Sequence, residues 1–137
     1  MGYLFDTDAL SELTRRRPTP AYVAWLREVP EEAQFASAIS AGELYRGAYR
    51  ATDPGRWLAR IETILGAITV LPYDREVART YGEIRADLER AGRLPGEADL
   101  QIAATALHHG LVVVTGNVRH FERVPGLRVD RIFEDLR

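Results

Sequence analysis

The chain has 137 residues and no cysteine, which excludes disulfides, zinc–thiolate sites and thiol nucleophiles. Its length predicts one domain spanning residues 1–137. A net charge of −2 argues against a general binder of polyanions, although all eighteen basic residues are arginine. No apolar run approaches the roughly 18 residues of a membrane span, and we therefore expect a soluble, cytoplasmic protein.

Short continuous apolar runs predict strands, and apolar residues at intervals of three and four predict helices. The predicted strands cover residues 2–5, 34–39, 68–71, 111–114 and 127–129. The predicted helices cover about residues 9–14, 22–29, 40–50, 57–65, 77–91 and 98–109. This alternation indicates a three-layer α/β fold, in which helices flank a short, mostly parallel central sheet of four to five strands.

Three acids stand where an apolar, strand-like run gives way to a helical pattern: Asp6, Glu43 and Asp99. In an alternating strand–helix fold, the carboxyl ends of the strands face one edge of the sheet, where ligands bind. Carboxylates gathered at that edge repel one another unless a positive charge holds them. A divalent cation, which takes oxygen ligands, is the simplest such charge.

Each of these acids also has a purely structural interpretation. Ser40-Ala41-Gly42-Glu43 has the pattern of a capping box, with Ser40 as the N-cap. Asp6 and Asp8 suit a helix N-terminus, and so do Glu97 and Asp99. The metal interpretation is favoured because it explains all the positions together.

The residues after the strand at 111–114 are polar. Asn117 is a possible metal or water ligand, and it is equally suited to an ordinary turn. Thr115 could hydrogen-bond a neighbouring carboxylate and so fix its orientation. His120 could hold phosphate or transfer a proton, although a solvated loop histidine is the more common case.

Arginines near the acids are candidates for phosphate contact. Arg46 and Arg50 lie three and seven positions after Glu43 and share its helix face. The run Arg15-Arg16-Arg17 suits a helix C-terminus somewhat better than an RNA contact.

These motifs resemble the PIN-domain family, and within it the VapC-type toxins of bacterial toxin–antitoxin pairs. Residues Leu4–Leu13 resemble the opening strand, Asp-Thr and helix, and Ser37–Gly47 resemble the second motif. Residues Leu94–Ala106 resemble the third motif, and Val113–Phe121 resemble the fourth, followed by Val124–Leu127. Four patterns in this order make a specific signal over nearly the whole chain.

Two positions depart from the family pattern. The fourth motif often carries an acid at the place of Asn117 or of His120, and here neither is acidic. Asp8 stands where the family more often has a small polar residue. Asp8 or Glu97 could supply the missing charge for a second metal ion.

The resemblance implies an endoribonuclease that uses Mg²⁺ or Mn²⁺ to cut structured RNA, such as tRNA or ribosomal RNA, and thereby stops translation. It also implies a homodimer and a VapB-like antitoxin with a segment lying across the site. The implied metal ligands are Asp6, Glu43 and Asp99, and Asn117 joins them as catalytic. The implied auxiliary residues are Thr7, Asp8, Glu97 and Thr115, and the implied RNA contacts are Arg46, Arg50, Arg119 and His120.

Two other classes of protein remain possible at this point. A catalytically weak RNA-binding protein of the same fold would explain the altered fourth motif. A haloacid-dehalogenase-like phosphatase also begins with an apolar run and Asp-x-Asp, but the chain is short for that fold and lacks its pair of acids. A Rossmann module is disfavoured because no Gly-x-Gly-x-x-Gly follows the first strand.

Overall fold

The computed structural model describes residues 2–137 and has a five-stranded sheet at its centre. The strand order is β3-β2-β1-β4-β5, and every neighbouring pair is parallel. The strands are β1 (Tyr3–Phe5), β2 (Gln34–Ser37), β3 (Thr69–Leu71), β4 (Val112–Val114) and β5 (Val129–Asp130). The α-helices are α1 (Thr7–Thr14), α2 (Pro20–Arg27), α3 (Ala38–Arg50), α4 (Pro54–Gly66), α5 (Arg75–Ala91), α6 (Glu97–His109), α7 (Val118–Glu122) and α8 (Ile132–Leu136). The predicted α/β fold is confirmed.

The central strands divide their side chains between two hydrophobic cores, because successive residues of a strand point to opposite faces. Leu4 and Val113 belong to a core that also contains buried residues of α5 and α6. Phe5 and Val114 belong to the other core, which is formed with α1 to α4 and α8. The two cores place helices on both faces of the sheet, as a parallel sheet requires.

The helix α6 packs deeply within the first core. Leu100, Ile102 and Ala103 are at most 1% exposed. This confirms the prediction, from apolar residues on nearly every side, that the segment is buried. The helix ends at Gly110, whose φ of 66° suits glycine in the left-handed region. Because α6 is fixed in the core, its first turn holds Asp99 at the edge of the sheet.

The predicted boundary between β2 and α3 is wrong by two residues. The strand ends at Ser37 rather than residue 39, and α3 begins at Ala38 rather than Ser40. Ser37 is the N-cap, and its hydroxyl oxygen accepts a hydrogen bond of 3.0 Å from the backbone N–H of Ser40. The predicted capping box from Ser40 to Glu43 is therefore absent, and Glu43 lies in the second turn of the helix.

Other boundaries also differ from the predictions. The helix α1 begins at Thr7, because Asp6 caps it, rather than near Ala9. The last strand lies at Val129–Asp130 instead of 127–129. The five-residue helices α7 and α8 were not predicted, since they are too short to show a helical period.

Within residues 2–137 no helix is both long enough and apolar enough to cross a membrane.

Candidate active site

Asp6 occupies the centre of the candidate site, between the end of β1 and the start of α1. Its backbone N–H donates to the carbonyl of Val114, the last residue of β4, at 3.0 Å. Its Oδ1 atom caps α1 by accepting from the backbone N–H of Ala9 at 2.9 Å. The helix-capping interpretation of Asp6 is thus correct, and the same contacts hold its carboxylate at the carboxyl ends of the two central strands.

Asp6 is buried, with only 2% of the residue exposed. Burial raises the pKa of Asp6 to about 7, against the lowering effect of hydrogen bonds from Thr115 and from Ala9. The negative charges of Asp8 and Asp99 raise this pKa further. A cation bound beside Asp6 would favour the ionised carboxylate.

Thr115 connects Asp6 to the loop after β4. Its fully buried hydroxyl donates to Oδ2 of Asp6 and accepts from the backbone N–H of Asn117 at 2.8 Å. The predicted contact between Thr115 and a carboxylate is confirmed. The side-chain amide of Asn117 lies 3.4 Å from Oδ2 of the exposed Asp8. The altered fourth motif thus places an amide donor, rather than an acid, beside Asp8.

Glu43 reaches the site through Thr7, the residue next to Asp6. The Thr7 hydroxyl donates to Oε1 of Glu43 at 2.5 Å, and its oxygen lies 3.1 Å from the hydroxyl oxygen of Ser40. Ser40 in turn lies 3.3 Å from the hydroxyl oxygen of Ser37. Both serines are completely buried. A chain of three hydroxyls therefore leads from the start of α3 to the exposed Glu43.

Asp99 stands on the first turn of α6, with a side chain that is 25% exposed. Its Oδ2 atom lies 3.2 Å from Nδ1 of His120 on α7. Thus Asp99 and His120, which are 21 positions apart, meet at the same edge as Asp6. His120 is half exposed and has access to solvent on its other side.

Glu97 does not join the other acids in this structure. Its carboxylate accepts from the hydroxyl of Tyr81 and pairs with Arg85, both on α5. The hydrogen bond from Tyr81 and the charge of Arg85 lower the pKa of Glu97. The auxiliary role expected for Glu97 is therefore not supported, because its charge is already balanced by α5.

The arginines expected to contact RNA are exposed. Arg46 and Arg50 lie on α3, and neither side chain makes an ion pair within residues 2–137. Arg119 and His120 line a cleft of about 260 Å³ together with Asn117. All four residues are therefore accessible to a ligand.

The candidate metal ligands at this site are the carboxylate oxygens of acidic side chains. Carboxylate oxygens are the ligands that Mg²⁺ and Mn²⁺ prefer, and Asp8 and Asp99 act electrostatically on the buried Asp6. The carboxylate oxygens of these residues therefore match the ligand preference of such an ion. Among residues 2–137, however, no three acidic or histidine side chains form a metal-binding group. Each carboxylate instead takes a hydrogen bond from a nearby donor, and the three-carboxylate pocket stays a prediction.

Sequence reasoning missed two sets of residues that support the site. Ser37 and Ser40 hold Thr7, and only the register between α1 and α3 reveals that role. Arg137 donates to the carbonyl of Gly116 at 2.8 Å and lies over the ring of Phe133. No sequence signal near residue 137 indicates this contact with the loop that carries Asn117.

Three comparisons with known proteins indicate the same family. The model of the PIN domain matches residues 3–127. A tRNA(fMet)-specific endonuclease VapC from Shigella flexneri is 46% identical over 130 residues, covering 95% of this chain and 97% of that protein. Ribonuclease VapC2 from Haemophilus influenzae is 37% identical with the same coverage. The crystal structure of DNA-bound VapBC from Salmonella typhimurium matches with a TM-score of 0.88 and 35% identity, covering 95% of this chain and 97% of that one. The chain therefore belongs to the PIN-domain family and, within it, to the VapC ribonucleases.

Proposed function

We propose that this protein is a metal-dependent endoribonuclease and the toxin of a toxin–antitoxin pair, and that residues 1–137 form a single PIN domain. The observation that carries the proposal is the buried Asp6, which has Asp8 and Asp99 as acidic neighbours at the carboxyl ends of β1 and β4. Such a carboxylate has no structural need for acidic neighbours, because Ala9 and Thr115 already satisfy its oxygens. A cation-binding role explains the acidic surroundings.

The proposed metal ligands are Asp6, Glu43 and Asp99. A bound Mg²⁺ or Mn²⁺ would supply an activated water and offset charge on the leaving oxygen of the phosphodiester. Thr115 holds the orientation of Asp6, and Thr7 holds that of Glu43. Both hydroxyls act through the ligands, as is usual for the groups that surround a metal site.

The residues of the fourth motif have a proposed role at the mouth of the site. Asn117 positions Asp8 through its amide, and His120 positions Asp99. Arg46, Arg50 and Arg119 are proposed to hold RNA phosphates, since guanidinium groups bind phosphate oxygens in a bidentate manner. The name of the Shigella relative points to tRNA, and we propose structured RNA of that class as the substrate.

A VapB-like antitoxin is the proposed partner, in keeping with the VapBC complex among the similar structures. A groove of about 320 Å³ starts at Thr7 and Glu43 and continues between α1, α3 and α4. Its walls include the apolar side chains of Leu44, Trp57 and Ile61. A peptide in this groove would cover Glu43 and so block the site. Formation of a homodimer stays a prediction.

The decisive experiment is cleavage of initiator tRNA by the purified protein in Mn²⁺, with and without excess EDTA. We expect cleavage that EDTA abolishes and that Asp99→Asn reduces by at least about a hundredfold, because the substitution removes a ligand charge. Asp87→Asn is the matched control, since Asp87 pairs with Arg90 on the exposed side of α5. Equal cleavage by the wild type and Asp99→Asn would contradict the proposal. RNA binding without any cleavage would favour the catalytically weak alternative.

A further inference from the structure

The loop after α1 carries three consecutive arginines whose expected structural role is already filled. Basic residues at a helix C-terminus commonly satisfy its last carbonyl groups. Here Arg60 of α4 does so, because its Nη1 atom donates to the carbonyls of Thr14 and Arg15 at 2.7 and 2.9 Å. The position of Arg16 and Arg17 at the end of α1 is therefore not explained by helix capping.

A buried carboxylate holds this loop in one conformation. Glu12 is 6% exposed and accepts from the backbone N–H and the hydroxyl of Thr19, at 2.8 and 3.0 Å. It also pairs with Arg15 at 3.3 Å. Since both ends of the loop are tied to Glu12, the residues between them are presented on a fixed backbone.

Arg16 and Arg17 are the residues presented by this loop. Both are exposed, and within residues 2–137 neither side chain has a hydrogen bond or an ion pair. By contrast, Arg85 and Arg131 are paired with carboxylates. Two adjacent guanidinium groups without counter-charges form a local positive site on a molecule whose net charge is −2.

The loop lies at the far end of the groove that begins at the candidate active site. Thr7 and Glu43 line one end of the groove, and Thr14 and Ala51 line the other. The eight residues of α1 span about 12 Å at 1.5 Å per residue. That length corresponds to about three or four stacked nucleotides at 3.4 Å each. An RNA strand whose scissile phosphate lies near Asp6 can therefore reach Arg16 and Arg17 within a few nucleotides.

We propose that Arg16 and Arg17 form a phosphate-binding site for the RNA strand that flanks the scissile bond. This inference rests on the proposed ribonuclease function, and it adds a binding site separate from the metal ligands. The site recognises the RNA backbone without selecting bases, because guanidinium–phosphate contacts carry no sequence information directly. Its contribution is to the affinity and the register of the substrate.

The proposal has a quantitative consequence for salt dependence. For single-stranded nucleic acid, each neutralised phosphate contributes about 0.7 to the slope of log affinity against log salt concentration. Loss of two contacts should therefore reduce the magnitude of the slope by about 1.4. If wild type and variant bind RNA equally at 1 M salt, the variant should therefore bind about 25-fold more weakly than the wild type at 0.1 M salt.

The test uses the full chain and a fluorescein-labelled, single-stranded 16-nucleotide RNA in EDTA, with anisotropy measured from 50 to 300 mM KCl. Arg16→Gln/Arg17→Gln should show the smaller slope, and Arg16→Lys/Arg17→Lys should retain most of it. The matched control is Arg27→Gln/Arg79→Gln, which removes the same charge from two exposed arginines on α2 and α5. In cleavage assays the Gln pair should raise KM and leave kcat unchanged.

The outcomes separate this inference from the proposed function. A wild type that cleaves RNA, together with a Gln pair whose slope equals that of the control, overturns the arginine site alone. That result would also be expected if the loop contacts the antitoxin instead of RNA. A wild type that cleaves no RNA with any divalent metal overturns the proposed function, and the salt slope still reports whether the arginines bind phosphate.

Discussion

Replacement of Asp6 by asparagine should stabilise the metal-free protein at neutral and alkaline pH. In the folded state burial raises the pKa of Asp6 from 3.8 to about 7, so the folded state holds the proton more tightly than the unfolded state. The contribution of Asp6 to stability is therefore fully present below pH 4 and is lost as the pH rises towards 7. A difference of about three pKa units corresponds to a loss of about 4 kcal/mol.

Asparagine is neutral at every pH, so the Asp6→Asn variant does not lose this stability as the pH rises. Its side-chain oxygen can keep the hydrogen bond from the N–H of Ala9, but its amide must share the hydroxyl of Thr115 with the N–H of Asn117. An imperfect buried hydrogen bond costs about 1–2 kcal/mol. We therefore expect Asp6→Asn to be more stable than the wild type by about 2–3 kcal/mol at pH 8, and to be the less stable of the two near pH 4.

Urea unfolding in EDTA between pH 4 and 8 measures this difference directly. The difference between wild type and variant cancels the titration of carboxylates that do not interact with Asp6, and Asp87→Asn controls for the loss of one exposed charge. Manganese at a hundred times its dissociation constant should stabilise the wild type by about 2.7 kcal/mol at pH 8 and the variant by much less. If the difference in free energy of unfolding does not change with pH, the pKa of Asp6 is not raised by burial and the reasoning is refuted.

Three further substitutions test other parts of the structure. Thr7→Val removes the hydroxyl that holds Glu43, and it should lower activity at limiting Mn²⁺ about tenfold; activity equal to wild type across a Mn²⁺ titration would contradict this. Glu12→Gln should cost about 1–3 kcal/mol in urea unfolding at pH 7, because an amide donor then faces Thr19; an unchanged midpoint would argue against the loop arrangement. Leu100→Ala should cost about 2–5 kcal/mol in the same assay, since Leu100 is completely buried; a loss below 1 kcal/mol would show that α6 is less tightly packed.

The pH dependence of the Glu12 contribution has the opposite sign to that of Asp6. Burial acts to raise the pKa of Glu12, but hydrogen bonds from Thr19 and the nearby Arg15 outweigh it and lower this pKa below its usual value. The stability that Glu12 provides is therefore present above its unfolded pKa and lost as the pH falls through the lowered one. The difference between wild type and Glu12→Gln should shrink at acid pH accordingly.

Much of the fold was predictable because it depends on local patterns. Two continuous apolar runs, at the start of the chain and at Val112–Val114, predicted buried strands. Both are strands in the interior of the sheet. The long amphipathic pattern of α5 and its stop at Gly92 were also clear. These features need no knowledge of distant residues, since period and turn chemistry are contained within each segment.

The boundary of α3 shows where local patterns fail. Ser37 and Ser40 are both acceptable N-caps, and Glu43 three positions after Ser40 completes an attractive capping box. The structure selects Ser37, because pairing of β2 with β3 stops there and the buried Ser40 contacts Thr7. A choice between two equal local signals was decided by contacts with a residue more than thirty positions away.

The sequence by itself determined the class of fold, the order of the elements and the positions of the acids that follow β1, β2 and the Leu-Pro-Gly loop. Only the tertiary structure decided how those acids differ. Asp6 is buried and its pKa is raised to about 7. Glu43 is exposed and accepts a hydrogen bond from Thr7, and the charge of Glu97 is balanced by Arg85 on α5. The reason is physical: the energy of a charge depends on the solvent and the partners that packing leaves around it, and these come from segments that no local pattern connects.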